Sequence, residues 1–415
     1  MQIRSIDGYA LSSPIDPEQD RPFHGGVRTL KKRDVVLVVI ETADGTRGVA
    51  PSGASSSAMR EYFEDDSQAS FADLIGGPVA DRLEGERLTE PADVHGLLAD
   101  VYLPDRLREQ TIAALDVALY DIQGRELGAP AYELLAEGSD GIEEQPTIEL
   151  PLYASAGMYM EPEGYVEQAT LVEEAGFVGY KYRPGIGPDG DRRILEALDE
   201  RTGVDPMIDA HTWWKVEGDA YDGETIRSLV KHAADHGAYW VEEPVAPDDY
   251  DSYRALSDLG VPLAGGESEH SAAGLIALAE TGAVSYLQGD VRHHGGFTGC
   301  WKAATYCAGR DVEYVPHNFG TWLGLIANAH LVAAAPDARL LEYPVFERDP
   351  ALDVDGDPGM YPFDLAFDVI EGEVDLRDGH LRVPDGPGLG VDVDLSVIEK
   401  YPFVEGPWTT FEYSD

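Results

Sequence analysis

"TIRSLVKHAADHGAYWVEEP" (Thr225–Pro244) holds a whole structural unit. A helical segment is ended by Gly237, and an apolar strand, "YWVEEP", follows with an acid, Glu242, at its carboxyl end. From about residue 150 the same unit recurs. Short apolar strands appear as "PLYAS", "FVGYKYR", "PMIDAH", "YWVEEP", "VPLAGGE", "VSYLQGD", "VEYVPH" and "RLLEYP". Between them lie helical stretches such as "DRRILEALDERTG" and "SAAGLIALAETG". Polar residues sit at the strand ends: Lys181, Asp209, Glu242, Glu267, Asp290, His317 and Glu342, spaced by 28, 33, 25, 23, 27 and 25 residues. Each interval fits one strand plus one helix. Eight such strands make a (β/α)8-type barrel, whose active site lies at the carboxyl ends of the strands. A doubly wound open sheet binds ligands at one switch point instead, so polar groups at nearly every strand end favour the barrel.

Residues 1–140 read as a separate α+β unit. "DVVLVVIETADGTRGVAP" is a strand, a turn at Asp44-Gly45 and a second strand. "TIAALDVALYDIQGRELGAP" is a helix with Ile112, Leu115, Leu119 and Ile122 on one face, stopped by Gly128 and Pro130. The barrel is expected over 141–350, and 351–415, too short for a domain, is expected to pack back on the first unit.

The 415 residues are 43% hydrophobic, enough for a large core, and 30 basic against 78 acidic residues leave a net charge of −48. Recurrent apolar segments argue for a folded chain with an acidic surface, as in proteins of salt-loving organisms, where about 3 Å of Debye length at molar salt screens the self-repulsion. Such a field repels nucleic acid and anionic membranes, and an anionic substrate needs local positive charge. Two cysteines, Cys300 and Cys307, lie in a helical stretch and make no disulfide framework, which fits a reducing, cytoplasmic location. The opening "MQIRSIDGYALSSP" has no apolar core of signal-peptide length, and no run of about 18 apolar residues suggests a membrane span.

The strand-end residues carry the chemistry. Asp209, Glu242 and Glu267 end three successive strands, and three carboxylates facing one cavity repel unless a cation joins them. Oxygen ligands without cysteine select Mg2+, Mn2+ or Ca2+ and leave positions open for water and substrate. One such acid alone would read as a solvated strand end; three in register tell against that. In "WVEEP" adjacent strand residues face opposite sides, which gives Glu242 to the barrel axis and Glu243 to the helical layer or rim. Lys181 and Arg183 in "GYKYRPG", and Asp209 and His211 in "MIDAHTWW", are two apart and so share a face. The cations read as a base, a clamp for a substrate anion, or salt-bridge partners of the acids; arginine is a poor base. Asp290 and His317 end neighbouring strands, and an aspartate beside a histidine fixes its tautomer and raises its basicity. Glu342 is either a hydrogen-bonding group for substrate or a rim charge. His293, His294, Glu269 and His270 fall on loops beyond the strand ends, and Trp213 and Trp214 wall the pocket or pack. There is no phosphate-binding glycine loop and no serine nucleophile elbow.

These motifs, with "ALDVALYDIQGRELGAPAYELL", "GGES", "QGDVRHHGG", "VPHNFG", "LLEYP" and "VPDGPGLGV", resemble the enolase superfamily, specifically its mandelate racemase subgroup, along nearly the whole chain. The resemblance implies an α+β capping domain, built from the N-terminal part and the C-terminal tail, over a modified (β/α)7β barrel. It implies Mg2+ or Mn2+ on Asp209, Glu242 and Glu267, a base dyad of His317 and Asp290, and Glu342 as its acidic electrophilic partner. Racemase-like members carry Lys-x-Lys on the second strand, where this chain has Arg183, which argues against two-base racemisation. His211 after the metal aspartate is similar to the acid-sugar dehydratases of the superfamily, and Asp290 stands where cycloisomerases carry lysine.

The expected reaction is therefore removal of the α-proton of a sugar-acid carboxylate by His317, with His211 protonating the departing β-hydroxyl and Lys181 and Arg183 holding the substrate. The competing expectations are a racemase or epimerase using Lys181 and His317 on opposite faces, and a non-catalytic sugar-acid binding protein. Loops around "RPFHGGVRTL" and "PSGASSS" are expected to select the sugar acid, and the family implies a homo-oligomer.

Overall fold

The computed structural model describes residues 1–23, 26–53, 74–101, 103, 105–137, 146–214 and 221–412. Residues His24 and Gly25 of "RPFHGGVRTL", and the part of "PSGASSS" after Gly53, lie outside the described residues.

The N-terminal unit is an antiparallel sheet covered by one long helix. Strands β2 (Gly26–Thr42) and β3 (Arg47–Ser52) flank the expected turn, where Gly45 has φ +91°. A further strand, β1 (Ile3–Phe23), pairs with β2 along its length, from Ile3 opposite Thr42 to Phe23 opposite Gly26. Its sequence hides it: Pro14 and Pro17 interrupt the alternation, and the register shifts between Pro14 and Gln19. Helix α1 (Asp105–Leu127) lays Ile112, Leu115, Leu119 and Ile122 into the core, each at most 3% exposed. The helix and β3 touch so closely at Gly48 that a Cβ there would lie 2.1 Å from the Ala118 carbonyl oxygen, which only glycine avoids.

The remainder builds a (β/α)7β barrel. Its strands, in order, are β4 (Glu149–Met158), β5 (Gly179–Arg183), β6 (Asp205–Asp209), β7 (Trp240–Glu242), β8 (Leu263–Gly265), β9 (Tyr286–Leu287), β10 (Glu313–Tyr314) and β11 (Leu341–Pro344). Consecutive strands pair in parallel from β4 to β10, and β11 pairs in parallel with β4 on its other side. Seven helices alternate with them: α2 (Pro162–Glu174), α3 (Pro188–Arg201), α4 (Gly223–Asp235), α5 (Tyr250–Ser257), α6 (Ala272–Glu280), α7 (Gly296–Cys307) and α8 (Trp322–Ala334). Four start on side-chain caps: Asp222, Asp249, Ser271 and Thr321 accept from the N–H three residues on.

Inside the barrel, Tyr153, Met207, Trp240, Ala264, Val315 and Leu340 pack as an apolar floor, with Tyr153 edge-on to Trp240 at 5.1 Å. The period of two along each strand then places Asp209 and Glu242 one layer above Met207 and Trp240.

The C-terminal segment divides its pairing. The hairpin β12 (Asp375–Arg377) and β13 (His380–Arg382) extends the barrel sheet beside β4, whereas β14 (Thr409–Glu412) pairs with β2 of the N-terminal sheet. Both cysteines are buried and free. No helix among the described residues is long and apolar enough to cross a membrane.

Candidate active site

The strand ends bring the expected groups together. Asp209 and Glu242 lie in register at the ends of β6 and β7. Lys181 on β5 is buried between Glu242 Oε1 at 2.8 Å and Glu342 Oε1 at 2.7 Å. Burial opposes its charge, but the two glutamates outweigh that and hold the ammonium protonated, well above the usual lysine range. Burial, with Asp209 and Glu342 adding to it, pushes the Glu242 carboxyl up to about 7 against the pull of Lys181. Gln288 Nε2 donates to its other oxygen at 2.7 Å. Arg183 donates Nε and Nη2 to Asp209 Oδ2 at 2.8 and 2.5 Å. Burial works to raise the Asp209 carboxyl, and Arg183 and His211 overcome it, holding Asp209 well below the carboxylate range.

His211 reaches these acids by a route that strand alternation does not describe. β6 ends at Asp209, and His211 lies in the 3-10 turn Ala210–Trp213 that follows. The turn brings its Nδ1 to 2.7 Å from Asp209 Oδ1, and its Nε2 to 2.6 Å from Glu243 Oε2 and 3.1 Å from Glu267 Oε1. The ring is buried among these acids; it does not line the larger cavity described below.

Glu243 departs from the expected placement. Its φ of +40° breaks the strand after Glu242, so the residue does not turn out to the helical layer or rim. Fully buried, it accepts from the Gly266 and Ser268 N–H groups at 3.1 and 2.9 Å and faces His211 with its other oxygen.

On the opposite wall, His317 Nδ1 lies 2.9 Å from Asp290 Oδ2 and its Nε2 lies 3.0 Å from Glu267 Oε2. Burial favours the neutral imidazole, but Glu267 and Asp290 raise its basicity above that of a free histidine. Asp290 is held by more groups than the sequence suggested. Arg292 donates Nε at 3.0 Å to Oδ1 and Nη2 at 2.5 Å to Oδ2, and Asn328 of α8 donates to Oδ1 at 3.3 Å and to the His317 carbonyl at 3.4 Å. Burial opposes the Asp290 charge, and Arg292 with His317 overcomes it, keeping the carboxylate well below its usual range. Arg292 follows Asp290 by two residues, the same spacing as in Asp209 and His211, and that signal could have found it.

Glu342, fully buried, accepts from the Asn318 N–H at 2.7 Å while its other oxygen faces Lys181. His293 stands beside the dyad with its ring 6.3 Å from that of His317 and its Nδ1 3.0 Å from Gln110 Nε2 of α1. Burial keeps His293 neutral, well below the usual histidine range. Trp213 is buried, and Trp214 donates Nε1 to the Glu243 carbonyl at 2.7 Å, so that side chain anchors the acidic turn.

Two overlapping groups of donors that share His211 suit a divalent cation, and neither contains all three expected ligands, Asp209, Glu242 and Glu267. Asp209 and Glu242 offer oxygens within 4.8 Å of one another and of His211, and Glu243 and Glu267 lie around the same imidazole. Glu267 Oε2 and Glu243 Oε2 face histidine nitrogens at close range but have no aligned hydrogen bond. Buried carboxylate oxygens in that condition are what a cation satisfies. Above them a cavity of about 370 Å³ opens between the two units, walled by Arg33, Asp34, Ser52 and Gly53 of the N-terminal sheet, Arg106 and Gln110 of α1, and Arg183, Glu267, His317 and Phe319 of the barrel.

Comparison with known proteins agrees with this architecture. Residues 13–136 match the family model for the N-terminal domain of mandelate racemase and muconate lactonizing enzyme, and residues 164–397 match the enolase C-terminal domain-like model. D-galactarolactone cycloisomerase of Agrobacterium fabrum is 28% identical over 416 residues, covering 97% of this chain and 99% of its own. D-xylonate dehydratase of Haloferax volcanii is 27% identical over 318 residues, 71% of this chain and 70% of its own. The crystal structure of an enolase superfamily member from Polaromonas sp. JS666 superposes with a TM-score of 0.77 at 27% identity, covering 98% of this chain and 99% of the other.

Proposed function

Because the chain belongs to the mandelate racemase and muconate lactonizing enzyme family of the enolase superfamily, we propose that it is an acid-sugar dehydratase dependent on Mg2+. It takes the α-proton from a sugar-acid carboxylate, expels the β-hydroxyl as water and leaves a 2-keto-3-deoxy sugar acid. Asp209, Glu242 and Glu267 hold the ion, which when bound supplies the positive charge that makes an α-proton beside a carboxylate removable.

The observation that carries this reading is Glu267. Its two oxygens lie 3.1 Å from His211 Nε2 and 3.0 Å from His317 Nε2, so two imidazoles converge on one carboxylate. His317 is the base: ionised Asp290 accepts at Nδ1, which leaves the Nε2 lone pair to take the α-proton. His211 is walled off from the cavity by acids at both nitrogens, so as proton donor to the departing hydroxyl it acts by way of Glu267, whose Oε1 lies 3.1 Å from its Nε2. The Cα–H and Cβ–O bonds break, and the resulting enol becomes the keto acid. Lys181 and Arg183 hold the carboxylate and hydroxyls.

Incubation with Mg2+ and a library of sugar acids, with an assay for 2-keto-3-deoxy products, tests the proposal. Turnover of none of them would sink dehydration. Deuterium uptake at the α-carbon from D2O without keto acid would point instead to a racemase or epimerase with Lys181 facing His317.

A further inference from the structure

A chain with 78 acids against 30 bases lines its cavity with the opposite balance: four arginines, Arg33, Arg106, Arg183 and Arg292, against Asp34 and Glu267 among the described residues. Two of the arginines are spoken for, Arg183 by Asp209 and Arg292 by Asp290. Arg33 and Arg106, both from the capping unit, have no ion pair or side-chain hydrogen bond among the described residues.

Arg33 is the more telling. Its Nε is buried with no hydrogen-bond partner, and its guanidinium lies 5.0 Å from the Trp408 ring centroid and 5.1 Å from that of Phe319. The aromatic walls fix the position of the charge without neutralising it. The adjacent Asp34 does not serve, because Lys32 Nζ at 3.0 Å and Ser12 Oγ at 2.7 Å already take its carboxylate. A half-buried guanidinium held without an anion is poised for one, and its planar fork suits carboxylate or phosphate oxygens.

We infer that Arg33, with Arg106 on the same cavity wall, is a subsite for a second anionic group, a carboxylate or phosphate at the end of the substrate remote from the reacting carboxylate. The reacting end meets His317 and Glu267 on the barrel side; the far end meets the cap. The preferred substrate then carries an anionic group at each end, a dianion where the far group is a carboxylate and more highly charged where it is a phosphate, and Arg33 determines that preference. The inference rests on the reading of the site as one for sugar acids.

Calorimetric titration of the Mg2+-loaded full chain with glucarate, gluconate and 6-phosphogluconate, and with the corresponding galacto acids, tests it. One acid with two anionic groups is expected to bind at least about tenfold more tightly than its monoanionic counterpart, and which of the two does so identifies the terminal group. Arg33→Met should remove that advantage and leave monoanion affinity unchanged, with Arg33→Lys retaining part of it. Equal affinity for acids with one and with two anionic groups, no binding of any acid with two, or equal weakening of both classes by Arg33→Met overturns the inference. The wild-type ratio decides even where Arg33→Met does not fold. A preference for the second anionic group without any keto product would sink the dehydratase reading and spare the subsite; keto product from a monoanion with no such preference would do the reverse.

Discussion

The floor and the mouth of the barrel are built on the same strands, two residues and about 6.6 Å apart. Met207 and Trp240 belong to the floor, where six uncharged side chains pack together. Asp209 and Glu242, next on the same face, belong to the mouth, where each buried charge has an opposite charge within 3 Å. One backbone therefore supports both a layer held by packing and a layer held by charge. The difference teaches that the scaffold supplies position and the residue type at one layer supplies chemistry.

The comparison breaks most sharply at His317. His317→Asn should lower kcat by about 10²–10⁴-fold, as loss of a general base does, with the urea midpoint little changed. A comparable fall in stability would show that mouth and floor are not separable. Trp240→Ala is the converse: a buried aromatic removed from the floor should cost about 3–5 kcal/mol in urea unfolding, while the protein that remains folded keeps its proton chemistry. Chelation comes next. EDTA should abolish turnover and lower the melting temperature, and Mg2+ at a hundred times its Kd should restore about 2.7 kcal/mol.

The smallest effect sits outside both layers, at Asp349. Burial pushes its carboxyl up to about 7, with only the Ala351 N–H and the Tyr343 hydroxyl opposing. Unlike the acids of the mouth it has no cation partner among the described residues. A folded pKa above the unfolded value means that its contribution is complete below about pH 4 and is lost as pH rises through 7. Urea unfolding at pH 5 and pH 8 should show that loss, and Asp349→Asn should flatten it.

The barrel was legible because its strands are short apolar runs with a polar residue at the carboxyl end, as Asp209 and Glu242 are, or two to three residues beyond it, as Glu267, Asp290 and His317 are. Asp209, Glu242, Glu267, Asp290, His317 and Glu342 come together because parallel strands all end at the same rim. What the sequence concealed follows from backbone that leaves the regular period. Glu243 was assigned to the wrong side because its positive φ ends the alternation, and His211 reached the acids through a turn rather than along a strand. Arg33, in the basic run "LKKRD" before the apolar stretch of β2, carried no sequence signal and entered the site only with the cavity between cap and barrel. β1 was missed because prolines and acids mask a strand whose partner lies across a hairpin.

The ring of strands also has a seam. Among the described residues no backbone ladder joins β10 to β11; Asn318 crosses the gap, donating its N–H to the Glu342 carboxylate at 2.7 Å and its Nδ2 to the Glu342 carbonyl at 3.3 Å. Glu342 is thus a rivet of the barrel as well as a neighbour of Lys181. Variation that retunes chemistry at this position also loosens the closure, so the two cannot diverge independently. The Arg33 side chain stacks on Phe319 and Trp408 but makes no hydrogen bond across that seam, so a change there alters the cavity wall and leaves the closure in place.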